Sequence, residues 1–420
     1  MSHALVVSRY FPFNPRRIHA VYQRLGAQVE ALARAAGRVE CLFLVPPEQQ
    51  RSAAELAEQQ RQLSALWSAA LTVQLAPVAQ EATPAGRWQR FGAGILSFSA
   101  HPIARPLCSE GALTAVRAAL ARQPRLILAH RLASMHLLCR ARARLAPARV
   151  FFDMDDIEHV AWSRRLWRDP AWPGERLLLL QMPSLMLAER RAVRLATATF
   201  VCSDGDRRTL RALSGRDSVI TVPNSVVFPL QPGSESEPLV LFVGSMGSRP
   251  NAQAVDELVQ RIWPLVHARL PAARLAIIGS GAELTQSYPP ADPSVSFTGF
   301  VEDLASWYRR ARVVCCPIRH GSGTRVKIIE AAAHARAIVA TPLAAEGLAL
   351  RNGTEILLRT GPAELAAACL QLLQEPAVAA RLGEAARTRA AALYERSAIV
   401  NQLERVFCST GAPHLYASPA

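Results

Sequence analysis

A glycine-bearing turn, followed by a helix with two cations and a carboxylate, is the part of this sequence best suited to chemistry. The strand-like run VVCCPI leads into the turn, and the helix pattern starts directly after it. Unpaired N–H groups and the dipole at a helix start attract anions, and glycine allows close approach to the backbone. Two cations add full charge, and a glutamate can accept hydrogen bonds from sugar hydroxyls. The pattern predicts a site for a nucleoside-diphosphate sugar made of Gly321, Ser322, Gly323, Thr324, Arg325, Lys327 and Glu330.

Polar side chains also follow two predicted strands of the first half. His130 follows one strand, and the run DMDDIEH, with Asp153 and Asp156, follows the next. Ligands of parallel sheets bind at the carboxyl ends of the strands, and a histidine there can orient or deprotonate a hydroxyl. We interpret His130, Asp153 and Asp156 as candidate catalytic residues on the acceptor side. A satisfied surface histidine explains His130 equally well.

The elements that position these residues alternate between short apolar strands and helices. Strands are predicted at 3–8, 39–45, 71–75, 125–129, 149–153, 198–202 and 218–222, then at 239–243, 274–278, 295–297, 312–317, 337–340 and 355–358. Helices are predicted between them, for example over 48–70, 161–195 and 251–269, whereas 87–106 lacks a clean period. This alternation is typical of parallel, doubly wound sheets.

The chain of 420 residues is too long for one hydrophobic core, so two domains are expected. Residues 225–238 are rich in Pro, Ser and Gly, as linkers are. We predict an α/β fold in which two Rossmann-like, doubly wound domains face a cleft. The predicted parts are an acceptor-side domain 1–228, a linker 229–238, a nucleotide-sugar domain 239–395, and a crossover helix with a tail, 396–420.

The second half resembles the GT-B glycosyltransferases, in particular the family 4 (group 1) type of retaining sugar transferases. The matching segments are LVLFVGSMGSRPNAQAVDEL, LAIIGSGAE, VSFTGFVEDLASWYRRARVVCCPI and the turn with its helix. The first half matches more loosely, through FVCSDGDRRTL and VITVPNSV. GSGTRVKIIEAAA and DMDDIEHVAWSRRL are also similar to bacterial transferases associated with exopolysaccharide systems.

The resemblance implies roles for residues of the second domain. Glu330 would bind the ribose, and Arg325 and Lys327 would contact the phosphates. Ser322 stands where the family more often has a first glutamate. In the loop Gly244-Ser245, relatives carry an arginine and then a lysine, where this chain has Ser245 and Pro250. Predicted donor contacts in the two remaining loops are Gly244, Ser245, Arg249, Phe300 and Val301, the last two beside the base.

The resemblance also implies a chemistry. A glycosyltransferase of this type moves a sugar to a cell-surface glycan, a glycolipid or a similar acceptor. Catalysis would stabilise the departing nucleoside diphosphate with cations and helix N–H groups, without a metal and without a permanently bound cofactor. A GT-B type sugar-nucleotide epimerase and a non-catalytic nucleotide-binding protein are the alternatives.

Two motifs of the first half leave more than one interpretation open. Asp153 and Asp155 form a DxD pattern, which binds metal in a different transferase fold. We favour carboxylates that line the acceptor side or cap a helix. The first loop, with Asn14, Arg16 and Arg17, lacks the family's glycine pair, and a phosphate or acceptor contact is expected there.

Net charge is +15 and the sequence pI is near 10.4. The sequence contains no basic run that resembles an RNA-binding or DNA-binding module, so nucleic-acid binding is not predicted. The eight cysteines form no CxxC pair, which favours a reducing, cytoplasmic location. Two segments contain both cationic and aromatic residues. This mixture predicts contact with the anionic inner face of a membrane and with a lipid-linked acceptor. The alternative is that the tryptophans belong to the core and the arginines are solvated. Those residues are Arg87, Trp88, Arg90, Phe91, Phe98, Trp162, Arg164, Arg165, Trp167, Arg168 and Trp172.

Overall fold

A computed structural model of the chain describes residues 3–14, 20–78, 86–107, 109–141, 147–230 and 236–409. It divides into two compact units, Met1–Pro223 with Ala398–Ala420, and Asn224–Ser397. The predicted boundary after residue 228 therefore differs from the observed one. Residues 224–228 group with the second unit because Val226 forms a parallel bridge with Glu395.

The first unit contains a seven-stranded parallel sheet in the order β3-β2-β1-β4-β5-β6-β7. Its strands are β1 His3–Ser8, β2 Arg38–Val45, β3 Leu71–Pro77, β4 Leu126–His130, β5 Arg149–Asp155, β6 Ala198–Val201 and β7 Val219–Thr221. Its helices are α1 Ala20–Ala36, α2 Ala53–Leu66, α3 Arg87–Leu96, α4 Glu110–Leu120, α5 Leu132–Arg140, α6 Glu158–Arg168, α7 Met182–Leu195 and α8 Asp204–Ser214. The order reverses direction at β1, which places the ligand-binding crevice at the carboxyl ends of β1 and β4.

The second unit contains a six-stranded parallel sheet in the order β10-β9-β8-β11-β12-β13. Its strands are β8 Leu239–Val243, β9 Arg274–Ile278, β10 Val295–Gly299, β11 Val313–Cys316, β12 Ala337–Ala340 and β13 Leu357–Leu358. Its helices are α9 Arg249–Glu257, α10 Trp263–His267, α11 Leu304–Arg310, α12 Val326–Ala333, α13 Pro362–Gln374 and α14 Pro376–Tyr394. Here the order reverses between β8 and β11. The predicted pair of doubly wound α/β sheets is confirmed.

The last helix, α15 Arg396–Cys408, packs in the first unit. Its Phe407 contacts the ring of Phe151 edge-on at 4.8 Å, and the carbonyl of Phe407 accepts a hydrogen bond from Arg149. Ile399, Val400 and Leu403 lie in the same buried cluster as β1 and β2. The apolar face of α15 thus covers the side of the first sheet on which α1 lies.

Local chemistry explains where several helices differ from the predicted ranges. Ser52 begins α2 with a capping box to Glu55, so the prediction over 48–70 contracts to 53–66. Pro264 lacks the N–H that would continue the helix predicted over 251–269, and a π-helical turn, Leu258–Ile262, separates α9 from α10. Residues 87–106, which lack a clean period, contain α3 followed by a 3₁₀ turn.

Candidate active site

The predicted donor residues lie on two loops that the second sheet brings together. β8 and β11 are hydrogen-bonded neighbours, and both loops leave the carboxyl ends of these strands. Gly244 and Ser245 follow β8, and the turn 321–324 follows β11. Because the sheet is parallel and its order reverses here, a ligand at this edge can contact both loops at once.

Asn251 joins the two loops through both ends of its amide. Its Nδ2 donates to the carbonyl of Ser245 at 2.8 Å, and its Oδ1 accepts from Nζ of Lys327 at 2.8 Å. This bond fixes the ammonium of Lys327 beside the backbone of the β8 loop. Lys327 is the only lysine in the sequence, among 48 basic residues, so a chain that otherwise uses arginine has a lysine at this position.

Close packing explains both the glycine and the lysine. A Cβ atom on Gly244 would lie 2.6 Å from Nζ of Lys327 and 2.8 Å from Nδ2 of Asn251. Both atoms are the ends of side chains, so a larger residue at position 244 would push Lys327 and Asn251 out of this arrangement. The ammonium also lies 4.2 Å from the centre of the Phe242 ring. A compact ammonium fits this space, whereas a planar guanidinium needs more room.

Desolvation is the largest cause that lowers the pKa of Lys327 to about 8; the charge of Arg325 acts in the same direction, whereas Cys316 and Glu330 oppose it. A cation that loses its proton near pH 8 is weakly hydrated and gains from an anionic partner. The arrangement is therefore suited to receive a phosphate group, whose charge would raise that pKa again.

Arg325, the residue that precedes α12, turns back onto the glycine turn. Its Nη1 donates to the carbonyls of Ser322 and Gly323. Gly321 has φ +107°, and a Cβ there would lie 3.0 Å from Nη2 of Arg325. The guanidinium thus holds the turn closed and places positive charge at the amino end of α12. The predicted phosphate contact of Arg325 stays a prediction, but its observed partners are the carbonyls of its own turn.

Glu330 lies on the second turn of α12 and accepts a hydrogen bond from the hydroxyl of Tyr308 at 2.9 Å. Burial and the Glu330 charge raise the pKa of Tyr308 well above its usual value, so the hydroxyl keeps its proton and stays a donor. The ring of Tyr308 stacks on His334 at 5.1 Å. This bond fixes one carboxylate oxygen of Glu330, which is partly exposed.

The remaining predicted donor residues lie around this centre. Thr324 accepts a hydrogen bond from Asn224 at 2.7 Å. Arg249 is exposed at the first position of α9, and Ser322 is partly exposed in the turn. Phe300 and Val301 follow β10, two strands from β8; Phe300 is 42% exposed, as a residue beside a planar base would need to be.

The first unit builds a different arrangement at the ends of β4 and β5. Asp153 is fully buried, and both of its carboxylate oxygens accept hydrogen bonds from Nε of Arg24 at 3.0 Å. Nη1 of Arg24 donates to the carbonyl of Val222 at 2.7 Å. Asp153 therefore has no exposed surface and is held by an arginine; its predicted catalytic role stays a prediction.

Arg131 and Asp155 continue this network in strained backbone conformations. Their φ angles are +69° and +57°, a region that residues other than glycine rarely adopt. Nη2 of Arg131 lies 2.5 Å from Asp155, and Nη1 lies 3.0 Å from Asp156. Burial would raise the pKa of Asp155, but Arg131 and Arg24 hold it well below its usual range. Both carboxylates of the DxD pattern therefore face guanidinium groups.

His130 is fully buried, which differs from the surface histidine considered from the sequence. Its Nδ1 lies 2.8 Å from the Ser8 hydroxyl, which accepts from the N–H of Tyr10 at 3.0 Å. The tautomer of the ring decides whether the Ser8 hydroxyl donates to Nδ1 or accepts from it. Burial lowers the pKa of His130 to about 4, so the ring is neutral at pH 7. Nε2 lies 3.9 Å from Asp153 and has no hydrogen-bond partner within the described residues.

Asp156 is partly exposed, unlike the buried Asp153 and His130, although its Oδ1 atom is buried. Asn14 is exposed, whereas Arg16 and Arg17 lie outside the described residues. Sequence reasoning missed Arg24, Arg131 and Tyr308, which act through other side chains. The sequence signal that would have strengthened Lys327 is that it is the only lysine.

Comparisons with known proteins agree with this architecture. Residues 237–375 match the family model described as glycosyl transferases group 1. Sucrose-phosphate synthase from Thermosynechococcus elongatus has a similar structure, with TM-score 0.66 and 19% identity over 97% of this chain and 98% of that one. HepE from Anabaena, in complex with UDP and glucose, gives TM-score 0.64 and 15% identity over 97% and 99%.

WaaG, described as a glycosyltransferase involved in lipopolysaccharide biosynthesis, gives TM-score 0.60 and 13% identity over 97% of this chain and 100% of that one. No curated protein sequence matches the chain. In the part of the chain that the structure describes, every helix is too short or too polar to cross a bilayer. The predicted resemblance and enzyme class are confirmed: the chain has the GT-B fold, and its second unit carries the domain of the group 1 glycosyltransferases.

Proposed function

We propose that the protein transfers a sugar from a nucleoside-diphosphate sugar to a cell-surface glycan, a glycolipid or a similar acceptor. The observation that carries the proposal is the joint between the two loops of the second unit, Lys327–Asn251–Ser245, beside the amino end of α12. It combines a fixed cation, the amino end of a helix and a glycine surface, which together suit a diphosphate.

The donor would lie with its diphosphate between Gly244 and the turn 321–324. Lys327 and the first amides of α12 would neutralise charge on the phosphates, and Glu330, oriented by Tyr308, would bind the ribose hydroxyls. As the bond from sugar to phosphate breaks, negative charge grows on the leaving diphosphate. Cations and amides that are already oriented then stabilise the transition state more than the ground state. This route needs no metal ion and fits a transfer that retains the anomeric configuration.

On the acceptor side we propose Asp156 as the residue that contacts an acceptor hydroxyl. His130 would act from a buried position, with a neutral ring. Asp153, held by Arg24, would support the site, because its carboxylate lies 3.9 Å from Nε2 of His130 and has no exposed surface. The location that we propose is the cytoplasm, at the inner face of the cell membrane, where a lipid-linked acceptor would be found.

The first experiment measures nucleotide binding by isothermal titration calorimetry with UDP, GDP and ADP. UDP comes first because the similar structure of HepE was solved with it. We expect one of the three to bind, and Lys327→Ala and Glu330→Ala each to weaken it. Arg261→Ala is the matched control, since this exposed arginine belongs to the same unit and lies outside the two loops. If both site variants bind as wild type does, the site assignment is wrong.

Acceptor dependence separates the proposed transferase from the alternatives. A transferase releases the nucleoside diphosphate when an acceptor glycan is added, with a small hydrolytic background. An epimerase would interconvert sugar nucleotides without acceptor, and a non-catalytic binder would do neither. Transfer that stays at full rate in EDTA would support metal independence, and the anomeric configuration of the product, read by NMR, tests retention.

A further inference from the structure

One face of the first unit exposes an unusual number of large apolar side chains. This face, called the α3 face here, consists of α3, α6, α7 and the 3₁₀ helix Pro173–Gln181, which contact one another. Trp88 is 71% exposed and Trp167 is 63% exposed. The other exposed apolar residues of the face are Leu96, Trp172, Leu177, Leu180, Met186 and Leu187. Apolar groups concentrated on one surface mark interaction sites rather than chance exposure.

A cleft of about 330 Å³ opens on this face between α3 and the 3₁₀ helix. Its apolar wall is formed by Trp88, Phe91, Trp172, Leu177 and Leu178. A space of this size and lining fits a stretch of hydrocarbon chain.

The wall also contains a buried acceptor without a partner. Gln181 is 1% exposed, and its Nε2 donates to the carbonyl of Phe91 at 3.0 Å. Its Oε1 has no hydrogen-bond partner among the described residues. A buried, unsatisfied oxygen is unfavourable by about 1–3 kcal/mol, which a ligand with a hydroxyl group would recover. Apolar wall and unpaired acceptor together point to an amphiphile.

The positive charge around the cleft favours an anionic amphiphile. Residues 86–107 contain three arginines and no acidic residue, and Arg90 and Arg105 line the cleft. The one carboxylate of the lining, Glu175, is neutralised by Arg165, which donates to its two oxygens at 3.0 and 2.9 Å. The surface around the cleft is therefore positive.

We propose that this cleft binds one anionic lipid of a bilayer and docks the first unit on the membrane. The hydrocarbon chain would lie against Trp88, Phe91 and Leu177. Arg90 and Arg105 would bind the lipid phosphate, and a head-group hydroxyl would donate to Oε1 of Gln181. The inference rests on the proposed function only in that the acceptor is at a membrane, and it can fail while nucleotide binding persists.

Vesicles that contain phosphatidylglycerol test the docking, because this lipid carries a phosphate, hydroxyls and two chains. We expect the full-length protein to sediment with phosphatidylglycerol/phosphatidylcholine vesicles at low salt, to bind pure phosphatidylcholine at least about tenfold more weakly, and to dissociate at high salt. Lipids with brominated chains should quench tryptophan fluorescence, and Trp88→Phe with Trp172→Phe should remove most of that quenching.

Three variants separate the cleft from a flat charged surface. Ala100→Phe fills the cleft without changing charge, Leu177→Asp places a carboxylate in its wall, and Gln181→Leu removes the hydroxyl acceptor. We expect the first two to weaken vesicle binding about tenfold or more and the third to reduce the preference for phosphatidylglycerol. Leu265→Asp, at an exposed leucine of the second unit, is the matched control and should bind as wild type does.

Circular dichroism and thermal unfolding of each variant show that the first unit is still folded, and nucleoside-diphosphate binding by the second unit keeps the two proposals apart. Equal binding of Ala100→Phe and wild type to vesicles would overturn the lipid cleft. Equal binding to neutral and anionic vesicles would overturn the role of the arginines. If Leu177→Asp instead abolishes a dimer seen by light scattering and leaves vesicle binding unchanged, the α3 face is a protein interface and the proposal is wrong.

Discussion

In the first unit, the ends of β4 and β5 bear the buried network of Arg24, Arg131 and Asp153, and Asp155 adopts a strained conformation. In the second unit, the ends of β8 and β11 bear glycine turns and one lysine. Both edges belong to parallel sheets; the strand order of the second sheet reverses between β8 and β11, whereas that of the first sheet reverses at β1, next to β4. The first edge is filled by its own counter-ions, whereas the second keeps a cation and backbone amides that a ligand can use.

This difference follows from how each unit handles buried charge. Removing one member of a buried ion pair leaves the other charge uncompensated, so the network of the first unit stabilises the fold only when complete. The lysine of the second unit has one neutral hydrogen-bond partner, Asn251, and a lowered pKa. Substitutions at the first edge should therefore affect stability, and substitutions at the second should affect binding.

The largest expected effect is on stability, from Arg24→Ala. It leaves the fully buried carboxylate of Asp153 without its partner, and we expect the free energy of unfolding of the first unit to fall by about 3–5 kcal/mol. Hydrogen exchange of the β4 and β5 amides, followed by mass spectrometry, measures this unit separately. Arg61→Ala, in an exposed pair with Glu58 three residues apart, is the control and should change the free energy of unfolding very little. A loss below that of the control would show that the network does not stabilise the unit.

The second effect is on binding, from Lys327→Ala. Loss of a charge-assisted contact to phosphate should weaken nucleoside-diphosphate binding by about 10- to 100-fold, equivalent to ~1.5–3 kcal/mol. Stability of the second unit should change little, because the variant also removes a desolvated ammonium. Calorimetric titration and thermal unfolding of the same samples give both numbers. If the variant is less stable but binds normally, the expectation that substitutions in the second unit affect binding rather than stability is wrong.

The sequence predicted the second edge far better than the first. The turn, Lys327 and Glu330 are close together in the chain, and helix-start chemistry explains them without tertiary contacts. Arg24 lies 129 residues from Asp153, so no local pattern connects them. The same limit hid Tyr308, which supports Glu330 from the preceding helix, and it made His130 look like a surface residue when β1 and β5 bury it. The strands were well predicted because apolar runs are local in the sequence. The helix bounds were predicted less well, because the Ser52 cap sets the start of α2 and the missing N–H of Pro264 interrupts the α-helical pattern after α9.

The third prediction uses the fact that Lys327 is the only lysine. Its lowered pKa, about 8, should make it reactive toward acylating reagents, with a rate that rises between pH 7 and 9 and levels off above. A nucleoside diphosphate should protect it, because the bound phosphate raises the pKa and blocks access. Affinity should fall as pH rises through 8, since the free protein then loses the proton that binding requires. Mass spectrometry locates the label, and Lys327→Arg should abolish both the labelling and the pH dependence. If nucleotide does not change the labelling rate, Lys327 does not contact the bound phosphate.

A smaller effect is expected from Tyr308→Phe, which removes the hydroxyl that donates to Glu330. Nucleotide affinity should fall by up to about tenfold, which corresponds to the net contribution of one hydrogen bond from a neutral hydroxyl. A merely structural role would weaken all nucleotides alike. A positioning role should instead lessen the preference for UDP over 2′-deoxy- and 3′-deoxy-UDP, measured by competition. An unchanged preference would show that Tyr308 does not orient Glu330 toward the ribose.

The last prediction tests whether the arginines at the first edge balance all of its negative charge. Burial raises the pKa of Glu158 to about 7, and Asp156 and Glu189 add to this, although Arg131 opposes it. A carboxyl group with a raised pKa in the folded state contributes stability below its unfolded pKa, and this is lost as pH rises through 7. Glu158→Gln should therefore be close to wild type at pH 5 and more stable by about 1–2 kcal/mol at pH 8, after allowance for the partial exposure of Glu158. Denaturant unfolding at the two pH values measures the difference, with Glu110→Gln as an exposed control. A gain of equal size at both pH values would mean that Glu158 is not the titrating group, and that the negative charge of this edge is balanced by its arginines alone.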